Sequence, residues 1–68
     1  MNEDALNVSV RKFLKKVGVA SQREIEKAVR DAAARGQLRS HEALAARMTL
    51  RVAGVGLTFE IDGEIETD

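Results

Sequence analysis

Apolar residues recur in this 68-residue chain with two different periods, and the change of period divides it in two. Leu6, Val10, Phe13, Leu14 and Val17 are spaced i, i+4, i+7, i+8 and i+11, so they share one face of a helix. Asn2 or Asp4 can cap its start, and Glu3 and Asp4 suit the positive end of its dipole. Lys15 and Lys16 suit the negative end, and Gly18 offers a stop. This predicts a first helix over residues 4–17.

A second set of helix signals follows at once. Ser21 with Glu24 three residues on has the form of a capping box, and Ala20 with Ile25 that of a weak hydrophobic staple. Ile25, Ala28, Val29, Ala32 and Ala33 form a stripe, and Gly36 stands where a left-handed C′ residue belongs. Glu26–Arg30, Lys27–Asp31 and Asp31–Arg35 are i,i+4 pairs. The pattern predicts a second helix over residues 22–35, joined to the first by a corner at Gly18, Val19 and Ala20. Residues 37–43 are polar and read as a connection; alternatively, Ser40 caps one short helical turn.

From Leu44 the period becomes two. Leu44, Ala46, Met48, Leu50 and Val52 alternate with Ala45, Arg47, Thr49 and Arg51. Ala53-Gly54-Val55-Gly56 reads as a turn, after which Leu57, Phe59, Ile61 and Ile65 alternate with Thr58, Glu60, Asp62 and Glu64. Pairing Val52 with Leu57 sets Leu50 against Phe59, Met48 against Ile61 and Leu44 against Ile65, all on one face. A turn at Asp62-Gly63 would instead oppose Ile61 with Glu64 and place a carboxylate among apolar side chains. One long strand, with Gly63 as a bulge or flexible point, is therefore preferred. The fold expected is α+β in the order ααββ. It is a single domain over residues 1–68, with the two helices covering one face of a two-stranded antiparallel hairpin.

Composition narrows the classes. The chain is 44% hydrophobic and 32% charged, as in a globular domain. With no cysteine, disulfides and thiolate metal sites are excluded. So short a chain buries little surface, which makes self-association the available source of further burial. No apolar run reaches membrane length and the N-terminus is acidic, so no membrane association is expected and a cytoplasmic location is. Net charge is zero but segregated: residues 1–39 hold nine Lys and Arg against five Asp and Glu, and residues 40–68 hold two against six.

No catalytic set emerges. His41 is the only histidine, in a polar connection with no acid placed by the sequence to orient it. Ser9, Ser21 and Ser40 lie in no nucleophile context, and Gly54-Val55-Gly56 lacks the remainder of a dinucleotide fingerprint. Asp62-Gly63-Glu64-Ile65-Glu66 has the look of a calcium-loop centre, but the chain ends before the bidentate twelfth ligand. A solvated strand face that discourages edge pairing is the better reading. The expectation is no enzyme and no cofactor. Arg11, Lys12, Lys15, Lys16, Arg23 and Lys27 gather about the predicted corner as candidate partner-binding residues, and a helix followed by a hairpin has some likeness to a winged helix. Glu24, Glu26 and Asp31 on that helix, the missing third helix and the zero net charge weigh against nucleic acid. A non-enzymatic module that binds itself or another protein is favoured, with nucleic-acid binding as the alternative.

Met1-Asn2-Glu3-Asp4, Arg11 to Val19, Ser21 to Glu26, Met48-Thr49-Leu50 and Asp62-Gly63-Glu64-Ile65 together resemble a family of small, uncharacterised bacterial proteins known mainly from proteobacteria, which carries only a domain-of-unknown-function label. The resemblance covers nearly the whole chain. It implies a free-standing bacterial protein and brings no activity, cofactor or catalytic residue with it.

Overall fold

The computed structural model describes residues 1–39 and 41–68. The chain divides into two compact units, Met1–Leu38 and Arg39–Asp68, and each is described by itself.

The first unit is one helix. Helix α1 runs unbroken from Glu3 to Ala34, 32 residues, so the two helices and the corner expected from the sequence are replaced by a single rod about 48 Å long. Asn2 is its N-cap, the side-chain Oδ1 accepting from the Ala5 amide at 3.0 Å. Arg35 is the C-cap, and Gly36 follows at φ +70°. The Gly36 amide donates to the Ala33 carbonyl at 3.0 Å and the Gln37 amide to the Ala32 carbonyl at 2.9 Å, a Schellman closure. The outer signals, Asn2 and Gly36, therefore act. The inner ones, Gly18 and the Ser21–Glu24 box, do not.

The reason lies in phase and in hydrogen bonding. From Leu6 the stripe steps to Val10, Phe13/Leu14 and Val17, and then without a break to Ser21, Ile25, Ala28 and Ala32. Every step is three or four residues, so Ile25, Ala28 and Ala32 of the second expected stripe continue the first, while Val29 and Ala33 turn toward the side of Arg11 and Lys15. A corner would orphan up to four amides and four carbonyls around residues 18–20. Against that, one interior glycine costs only about 1 kcal/mol relative to alanine, and no proline is present to force a break. Glu26 accepts from the Gln22 side chain at 3.1 Å and faces Arg30 at 3.8 Å, the i,i+4 pair the sequence led one to expect.

The second unit is an antiparallel hairpin of β1, Leu44–Val52, and β2, Leu57–Ile65. Its register is the one the alternation demands: Leu44 opposite Ile65, Met48 opposite Ile61, Leu50 opposite Phe59 and Val52 opposite Leu57. Ala53–Val55 form a 3-10 turn, closed where the left-handed Gly56 (φ +64°) donates to the Ala53 carbonyl at 3.1 Å. Gly63 pairs directly with Ala46, and the ladder passes through it without a bulge. Leu44 begins β1, which settles residues 41–46 in favour of connection and strand; the cap considered at Ser40 lies outside the described residues.

Among the described residues none is buried in either unit. Within each unit taken by itself, the positions expected to form a core lie at the surface.

Candidate interaction surfaces

Helix α1 carries two opposed faces. At 100° per residue, Leu6, Val10, Phe13, Leu14 and Val17 fall within one arc, continued by Ser21, Ile25, Ala28 and Ala32. Phe13 and Leu14 are about half exposed, at 50% and 51%. The opposite arc holds Arg11, Lys12, Lys15, Lys16, Arg23 and Lys27, the six candidate residues. With no corner to gather them, they form a row along a single helix, roughly 24 Å from Arg11 to Lys27. All six are exposed, and none makes an ion pair or side-chain hydrogen bond among the described residues. The winged-helix likeness fails with the corner, because no separate recognition helix precedes the hairpin.

The hairpin is two-faced as well. On one side stand Leu44, Ala46, Met48, Leu50 and Val52 with Leu57, Phe59, Ile61 and Ile65. Phe59 and Ile61 are 52% and 57% exposed, and Ala46 faces Gly63 across the two strands. The other side sets Arg47 opposite Asp62 and Thr49 opposite Glu60. Arg47 Nε lies 2.6 Å from Asp62 Oδ1 and 3.4 Å from Glu60 Oε2, so one guanidinium bridges two of the strand's carboxylates. All three side chains are well exposed, and such a cross-strand pair is worth a few tenths of a kcal/mol to about 1 kcal/mol. The segment compared with a calcium loop, Asp62-Gly63-Glu64, is ladder and not loop, and no cluster of three or more metal-ligating side chains occurs among the described residues.

His41 does have an acid beside it, contrary to expectation. The antiparallel ladder returns the chain end to the start of β1, where Asp68 Oδ2 lies 2.6 Å from His41 Nδ1 and accepts from the His41 amide at 3.1 Å. His41 adopts φ +64°, a left-handed conformation that histidine tolerates better than most side chains. The pair sits in an open depression with Glu42, Ala43, Glu66 and Thr67 and is well exposed. The geometry ties the segment that follows β2 to the residue that leads into β1. Only the register, carried three residues past Ile65, could have brought these two residues together from sequence.

No helix is long and apolar enough to cross a membrane among the described residues. A family model covering residues 1–68 matches the chain: the Family of unknown function (DUF6494), to which this protein belongs. Neither the curated proteins nor the solved structures contain a match.

Proposed function

We propose that this member of the family is a non-enzymatic bacterial interaction module, acting in the cytoplasm, whose first partner is a second copy of itself. One observation carries the reading: a chain that is 44% hydrophobic gathers most of its large apolar residues on one helix stripe and one sheet face, and buries none of them within either unit, while Val8, Val19 and Val55 stand apart from both faces. Two-stranded hairpins are marginal alone in water, and a solitary helix draws most of its stability from packing. Each element therefore requires a surface to cover it. Light scattering on the purified chain from micromolar to millimolar concentration tests this. The mass should rise to a multiple of 7.4 kDa, and a strict monomer throughout would refute self-association.

A second reading rests on the cationic row, which has no ion-pair partner among the described residues. Six charges along one helix match the electrostatic footprint of a polyanion, and the acidic hairpin accounts for the zero net charge. If nucleic acid is bound there, Lys12→Glu with Lys16→Glu abolishes salt-sensitive amide shifts on adding short oligonucleotides and leaves helicity unchanged. Absence of any shift at low salt in the unaltered chain removes this reading.

A further inference from the structure

We infer that the second copy docks antiparallel along α1, about a two-fold axis level with Val19. The inference rests on the self-association just proposed and specifies its surface and direction. The stripe tapers: its first half holds Leu6, Val10, Phe13 and Val17, and its second half Ser21, Ile25, Ala28 and Ala32. Large and small residues are equidistant from Val19. An antiparallel partner sets Leu6 against Ala32, Val10 against Ala28, Phe13 against Ile25 and Val17 against Ser21. Nearly every contact then joins a bulky side chain to a small one, which keeps the helix axes evenly spaced along the seam. A parallel partner would meet Leu6 with Leu6 and Ala32 with Ala32, too wide at one end and hollow at the other.

Charge and repeat point the same way. Glu3 and Asp4 open the helix and Arg35 closes it, with Glu3 and Arg35 again equidistant from Val19. Antiparallel docking places Glu3 by the partner's Arg35 and opposes the two macrodipoles, whereas parallel docking stacks like charges at both ends. Glu24 stands opposite Leu14 at the seam's edge, where its methylenes can cover the leucine while the carboxylate reaches water. The stripe also repeats every 11 residues: Leu6, Val17, Ala28 on one track and Val10, Ser21, Ala32 on another. An 11-residue repeat is close to the natural helical period, so the stripe runs nearly along the axis and two copies can stay in contact over the full length. The pairing is the one a corner at Gly18–Ala20 would make inside one chain; the unbroken helix transfers it to two chains.

Engineered cysteines test this in a chain that has none of its own. Leu6→Cys and Ala32→Cys lie roughly 39 Å apart on a single helix, beyond any disulfide within it. On mild oxidation the double variant should run as a covalent species of twice the chain mass on a non-reducing gel, while each single variant stays at chain mass. Efficient cross-linking of Leu6→Cys alone would overturn the direction in favour of a parallel pair. A disulfide within one chain of the double variant would overturn the continuous helix in favour of a folded-back one. No cross-link in a protein that light scattering finds dimeric would move the interface to the hairpin. A monomer by light scattering would instead refute the self-association on which the inference rests.

Discussion

Replacing Gly18 by alanine should stabilise this protein, and the sign of the effect separates a continuous helix from a corner. Gly18 lies near the middle of α1, away from both caps, and its φ is not positive. A Cβ built on it meets nothing within 4 Å outside the helix's own backbone, so no clash opposes the change. What remains is the difference in intrinsic propensity, about 0.8–1.0 kcal/mol in favour of alanine in a helix interior. In a domain of this size about 1 kcal/mol raises the melting temperature by roughly 4–8 °C. Far-UV circular dichroism with thermal and urea unfolding reads the result, and the midpoint should rise while ellipticity at 222 nm holds or deepens. Were Gly18 the left-handed stop of a shorter helix, alanine there would instead cost about 1–2 kcal/mol. A fall in midpoint of that size would refute the single helix and restore the corner.

The two ends of α1 respond in the opposite direction. Asn2→Ala removes the side-chain acceptor of the Ala5 amide and should cost about 1 kcal/mol, read as fraying of the first turn by amide exchange. Gly36→Ala places a Cβ at φ +70°, where space is free but the backbone is not, and should lower the urea midpoint by about 1 kcal/mol. If Gly36→Ala were neutral, the Schellman closure would not be what ends the helix.

The hairpin was legible because its grammar is redundant. Alternation, the Gly54/Gly56 turn and the need to keep Ile61 and Ile65 on one face all select the same register, and Gly63 needed no bulge because Ala46 faces it. In the helical half the outer signals, Asn2 and Gly36, marked the true ends, and the inner ones were misleading. Ser21 and Glu24 have capping-box form, yet the same residues are tolerated inside a helix, and Gly18 is a stop only if something beyond it requires one. What distinguishes the cases is the phase of the stripe across residues 17–25, which is a relation between segments and not a property of either. The six basic residues share one side of α1, and their arrangement as a row instead of a cluster about a corner follows from that same phase. The His41–Asp68 contact joins residues 27 apart and was invisible to any local pattern.

The central claim is that the fold is held by surface shared between copies, and dilution tests it most directly. Far-UV circular dichroism of the unaltered chain should be followed from millimolar to nanomolar concentration alongside sedimentation equilibrium. If partner surface stabilises α1 and the hairpin, ellipticity falls on dilution with the same midpoint as the dissociation of the oligomer, because anything that binds only the folded state stabilises it by mass action. Full helicity in a species of single-chain mass, unchanged across the whole range, would contradict the account.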